Sequence, residues 1–169
     1  MASNSSSASG GYQLSINMDE VKRWAATIDD EAAHIVQLYT NRALKNSAVI
    51  VEQREHKETP KGVTDGLNKS IKQFVTEEAA TIGPDHGLKY ALYVEKGTKP
   101  HMPPVDAITA WAESKGINPW ALAKSIAQKG TKSNPFVKRT FKATKDDVKA
   151  EFVIAIKLIT RSLAKAGKI

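Results

Sequence analysis

The spacing of apolar positions changes along the chain, and each change predicts a different element. Over residues 19–45, Val21, Trp24, Ile28, Ala32, Ile35 and Tyr39 recur every three or four residues, which makes one stripe on a helix. Asp19 and Glu20 stand at its start, Arg42 and Lys45 at its end, where the helix dipole favours an anion and a cation respectively. Asn46 fits as a terminator. Residues 48–52 are β-prone and either continue this helix or form a strand. Residues 55–63 are polar, carry Pro60 and Gly62, and read as an exposed loop. Residues 70–75, 79–83 and 90–94 read as strands, with Gly83, Pro84, Asp85, His86 and Gly87 supplying turn chemistry between the last two.

A break follows at Gly97, Thr98, Lys99, Pro100, His101, Met102, Pro103 and Pro104. Beyond it two short helices form a helical hairpin over 103–130. The first places Val105, Ile108, Trp111 and Ala112 on one face and ends at Gly116. The second opens at Asn118-Pro119, an N-cap followed by a first-turn proline, turns Leu122 and Ile126 inward and ends at Gly130. The last helix is predicted over 136–166, with Phe141, Val148, Phe152, Ala155, Ile159 and Leu163 as its apolar stripe. The expected fold class is α+β: a small antiparallel β-sheet packed by a long N-terminal helix and a long C-terminal helix, with an inserted helical hairpin.

The length of 169 residues suits one ordinary domain, here 18–169, after an N-terminal tail 1–17. Residues 1–11 are rich in Ser, Gly and Ala and lack both charge and an apolar core, so they read as a flexible tail and not as a signal peptide. No apolar run approaches the roughly 18–20 residues that span a bilayer, so no membrane partner is expected. The chain has no cysteine, which excludes disulfides, thiolate metal sites and cysteine nucleophiles.

Charge sharpens the picture. The chain has a formal net charge of +7, yet residues 129–169 hold 11 Lys and Arg against 3 Asp and Glu. The basicity therefore belongs to the C-terminal quarter. Lys138, Lys142, Lys145 and Lys149, with Arg139 beside them, form a basic stripe along the last helix. Such a stripe suits nucleic acid or an acidic protein surface. The plainer reading is a solubilising helix face.

Catalytic constellations do not emerge. His34, His56, His86 and His101 never stand at metal-ligand spacing. His34 falls near the apolar stripe as a partial-core residue; His86 and His101 fall in Gly/Pro turns and read as exposed. No phosphate-binding loop or nucleophile elbow is present. The carboxylate pairs Asp29–Asp30 and Glu77–Glu78 are sequence neighbours, whose side chains diverge. Neither an enzyme nor a cofactor or metal is expected.

Three segments carry a family resemblance. They are Thr59-Pro60-Lys61-Gly62-Val63-Thr64-Asp65-Gly66-Leu67-Asn68-Lys69-Ser70-Ile71, Tyr90-Ala91-Leu92-Tyr93-Val94-Glu95-Lys96-Gly97-Thr98 and Asn134-Pro135-Phe136-Val137-Lys138-Arg139-Thr140-Phe141. Together they resemble the tail-completion, or neck, proteins of long-tailed bacteriophages and prophages, over residues 19–169. The second segment is the most specific. The first departs from the family pattern, with Thr64-Asp65-Gly66 in place of Asp-Thr-Gly. Residues 103–130 resemble an insertion that some members carry.

The resemblance implies a structural virion protein, made in the host bacterial cytoplasm and placed at the head–tail junction. It implies a ring of identical subunits, expected to be a hexamer. Its neighbours would be the head connector (portal-side proteins) and the tail terminator or tail tube protein. The basic stripe would meet an acidic connector surface or DNA in the channel. Candidate interface residues are Tyr90, Glu95, Gly97, Thr98, Pro135 and Phe136. All six also suit a purely fold-determining role: Tyr90 and Val94 facing the core of a strand that Glu95 ends, Gly97 allowing a sharp exit, and Pro135 opening a helix whose Phe136 packs on the sheet. The alternative function is a helix-turn-helix DNA-binding protein using the hairpin 107–128, where Ala112, Gly116 and Leu122 sit near the favoured spacings. Against it, Ser125 stands where an apolar residue is wanted, and Lys124 and Gln128 are the main base-reading groups. A small antitoxin-like interaction protein is a further rival, supported by size alone.

Overall fold

The computed structural model describes residues 14–17, 23, 27, 29–85, 88 and 90–168. Its elements are β1 (Leu14–Asn17), α1 (Asp30–Glu58), α2 (Gly66–Lys69), β2 (Ile71–Val75), β3 (Ala79–Pro84), α3 (Tyr90–Lys96), α4 (Val105–Ser114), α5 (Pro119–Lys129) and α6 (Phe136–Lys165). The fold is α+β, as expected, with the long helix α1 packed against the long helix α6.

Asp29 caps α1 by accepting a hydrogen bond from the Ala32 N–H at 2.8 Å. That N–H and Lys168 hold the Asp29 carboxyl below its usual range. The helix does not stop near residue 45 but runs to Glu58, absorbing both the β-prone 48–52 and the start of the predicted loop. It ends at Thr59, which precedes Pro60 and is extended, a conformation that a following proline favours. Its buried stripe is Ala32, Val36, Thr40, Ala43, Leu44, Ser47, Ala48, Val51 and Glu55. Ile35 and Tyr39 are only half-buried, so the stripe runs one residue off the expected register. Small and polar residues, Thr40 and Ser47 among them, occupy part of the buried face. Thr40 satisfies its hydroxyl on the Val36 carbonyl at 2.8 Å. Val21, Trp24 and Ile28 lie outside the described residues, as do His86, Gly87 and residues 1–13; Leu14–Asn17, expected to belong to the flexible tail 1–17, instead form β1, held by backbone pairing with β3.

The sheet has the order β1-β3-β2 and is antiparallel throughout. Glu77 and Glu78 form the tip between β2 and β3, and Thr76 closes it by accepting from the Ala79 N–H at 3.0 Å. Leu44, Ala48 and Val51 of α1 meet Ile71, Ala80 and Ile82 of the sheet in one core, with Val148 and Phe152 of α6 packed against it.

Helix α6 lies antiparallel to α1. Lys168 pairs with Asp29 at 2.9 Å at one end, and Arg139 pairs with Glu58 at 2.7 Å at the other. Between them Glu151 accepts from the Asn46 amide at 2.8 Å. Phe141, expected in the core, is 52% exposed. Thr140 and Thr144 are buried in its place, each bonding the carbonyl four residues back at 2.9 Å. Self-satisfied threonines let the two helices approach closely where a phenylalanine ring would hold them apart.

Residues 90–96 are helix α3, not a strand. Ala91 and Glu95 are its buried residues, and their spacing of four is the helical period. Tyr90 and Tyr93 face outward.

Candidate functional site

The three segments that carry the family resemblance fold onto one another. Leu67 of α2, Ala91 of α3, and Phe136 and Val137 of α6 form a second core, with Leu88 and Val94 against it. Phe136 is fully buried there, not on the sheet as expected. Asp65 takes the left-handed conformation (φ 51°) just before α2, and Gly66 begins the helix. Aspartate is one of the few non-glycine residues that tolerate this region. Asn68 ties α2 to α1 by donating to the His56 carbonyl at 2.7 Å.

Glu95 links α3 to α6. Its two carboxylate oxygens accept from the Val137 N–H at 3.0 Å and the Lys138 N–H at 3.2 Å. Pro135 has no capping side chain at the start of α6, so a glutamate distant in sequence does that work. Asn134 donates its N–H to the Val94 carbonyl at 2.8 Å and completes the bracket. Of the six candidate interface residues, Glu95 and Phe136 are buried within the chain, and Pro135, Gly97 and Thr98 are half-buried; Tyr90 is exposed.

Gly97 and Thr98 turn out to be half of a clasp. Thr98 and Thr131 form an antiparallel bridge, with Thr98 N–H to Thr131 O at 3.2 Å and Thr131 N–H to Thr98 O at 3.3 Å. Their hydroxyls lie 3.1 Å apart. Gly97 (φ 74°) and Gly130 (φ 70°) precede the two threonines. A Cβ on either glycine would collide with the opposing backbone. This clasp closes the base of the hairpin α4–α5. The signal for it was present as a second Gly-Thr pair, Gly130-Thr131, at the far end of the insertion.

In the hairpin itself Asn118 caps α5 through the Trp120 N–H at 2.9 Å, as predicted. Ala112, Ala123 and Ile126 are its buried residues. Trp111, expected inward, is exposed, and Trp120 is 61% exposed. Small residues at the α4–α5 contact leave no room for an indole between the helices.

The basic stripe stands out from the body. Lys138, Lys142, Lys145 and Lys149 are all exposed and make no ion pair with a described residue. They span roughly 16 Å of helix. Arg139 is set apart from them: its Nε donates to Glu58 Oε2 and its terminal nitrogen to the Glu58 carbonyl at 2.9 Å. Arg139 first and Arg54 second hold the Glu58 carboxyl below its usual range. Further along α6 the exposed surface turns apolar at Val153, Ile154 and Ile156. A shallow groove of about 190 Å³ between α1 and α6 has Ile154 at its edge, with Tyr39, Asn46 and Glu151.

His34 is exposed, not part of the core, and His101 is exposed as predicted. His56 faces the Asn68 side chain at 3.0 Å. Among the described residues no three His, Asp or Glu side chains converge as a metal site, and no helix is long and apolar enough to cross a membrane.

No protein-family model, curated protein or solved structure matches this chain.

Proposed function

We propose that the chain is a non-enzymatic structural subunit of a long-tailed bacteriophage, a tail-completion or neck protein that forms a ring between the head connector and the tail. The observation that carries this reading is the convergence of residues 59–71, 90–98 and 134–141 on one core and one helix cap. Segments chosen for their resemblance to one family have no obligation to touch. Their contact is what a shared structural unit requires.

The exposed side of α6 supports a docking role. Four exposed lysines that make no ion pair with a described residue lie on its first half, and an apolar patch follows on its second. A charged rim beside an apolar centre is the usual anatomy of a protein interface. Identical subunits joined by unlike faces close into a ring when the rotation fits, and six is the number that the family resemblance implies. The lysines then face an acidic connector surface or channel DNA. Assembly takes place in the bacterial cytoplasm, and the finished protein resides in the virion. The helix-turn-helix reading of 107–128 keeps the hairpin and the spacing of Ala112, Gly116 and Leu122, but its second helix offers only Lys124 and Gln128 as exposed base-reading groups.

Deleting the gene from its parent phage or prophage and imaging the induced lysate tests the proposal. Filled heads lying apart from tails are expected. Normally joined particles, together with sequence-selective duplex binding by the purified protein, would move the helix-turn-helix reading to first place.

A further inference from the structure

Glu55 is fully buried on the last full turn of α1, and neither of its carboxyl oxygens has a hydrogen-bond partner. An ionised carboxylate in that position is strongly disfavoured. The charges around it do not help. Glu52 lies one turn earlier on α1, and Glu95 approaches from α3. On α6, Lys138 is exposed to solvent and Arg139 is taken by Glu58. On the α2 side His56 is engaged by Asn68, and Lys69 reaches the Thr64 carbonyl. Burial first, then Glu95 and Glu52, push the Glu55 carboxyl from the ordinary 4.5 up to about 7.

Glu95 is not free to retreat without consequence. Both its oxygens hold the first N–H groups of α6. We infer that Glu55 and Glu95 form a proton-controlled latch at the start of α6. With Glu55 protonated, a single negative charge occupies the buried space and Glu95 caps Val137 and Lys138. When Glu55 loses its proton, its charge stands in a buried space and acts on Glu95, while neither Glu55 oxygen has a hydrogen-bond partner among the described residues. The repulsion is relieved by withdrawing Glu95 from the cap, which loosens the first turn of α6. Lys138, the first lysine of the basic stripe, rides on that turn. The latch stands on the geometry of the single chain and does not depend on the function proposed above.

Nuclear magnetic resonance of the full chain, labelled with carbon-13 at the glutamate carboxyls and nitrogen-15 at the amides, reads both halves of this claim. Between pH 5 and 9 the Glu55 carboxyl is expected to titrate near 7, and the Val137 and Lys138 amides to shift with the same midpoint. In Glu55→Gln those amides should stop titrating. At pH 8.5 they should exchange with solvent at least tenfold more slowly than in the wild type. Glu55 titrating near 4.5 overturns the inference. So do Val137 and Lys138 amides that stay flat while Glu55 titrates. If Glu55→Gln fails to fold, the wild-type titration alone decides, because both midpoints come from the unaltered chain.

Discussion

The junction at the start of α6 and the hairpin inserted just before it are adjacent in sequence and held by different means. The junction gathers α2, α3 and α6 around Phe136, with Glu95 on two helix N–H groups, and Glu58 on Arg139 ties in α1. Its two charged links span 42 and 81 residues. The hairpin is a local structure. It has its own cap at Asn118, a core of two alanines and an isoleucine, and a backbone clasp at Thr98–Thr131. It leaves both tryptophans in solvent, whereas the junction buries its one phenylalanine completely. The junction ties elements of the body together, while the hairpin is an attachment that the clasp keeps in place.

Changes at the junction should therefore cost most. Phe136→Ala removes a fully buried ring and is expected to destabilise the protein by about 3–5 kcal/mol, measured by chemical denaturation. Gly130→Ala attacks the clasp. A left-handed conformation and a backbone collision together should cost about 2–4 kcal/mol, and the loss should centre on the hairpin in hydrogen exchange. An equal loss of protection throughout α6 would show that the two regions fold as one.

Glu95→Ala leaves two helix N–H groups without an acceptor and should cost about 1–3 kcal/mol. Glu55 works in the opposite direction. Its carboxyl is raised in the folded state, so folding takes up a proton between pH 4.5 and about 7, and stability falls as pH rises through that window and levels off above it. Glu55→Gln should flatten that dependence and gain up to about 3 kcal/mol at pH 8. The smallest effect is expected from Trp120→Ser on the exposed side of the hairpin, within about 0.5 kcal/mol.

Much of the framework could be read from the sequence where local signals acted alone. Asn118-Pro119 opens α5, Gly116 and Gly130 mark helix ends, and the strands expected over 70–75 and 79–83 are present as β2 and β3 although Ile71 alternates poorly with its neighbours. The failures share a cause. Tyr90–Lys96 is rich in β-prone residues, but its partner is the side of Phe136 and the start of α6, and only a helix presents Ala91 and Glu95 together to them. In α1 and α6 the buried seam includes Thr40, Ser47, Glu55, Thr140 and Thr144, which an apolar pattern overlooks. Phe141 and Trp111 fall on the apolar stripes that the helical period predicts, but both are exposed, with small residues buried beside them. As for the candidate site, the lysine spacing was visible, but the pairing of Arg139 with Glu58 and the role of Glu95 depend on contacts across 81 and 42 residues.

The neck assignment itself meets its most direct test in reconstitution. Purified wild-type protein is added to a lysate from the deletion strain, and joined particles are counted by electron microscopy and by plaque titre. The account predicts that joined, infectious particles return, and that a folded variant with Lys138, Lys142, Lys145 and Lys149 all changed to Glu restores few or none. Heads and tails that remain apart after adding the folded wild-type protein, or that were already joined without it, would contradict the account.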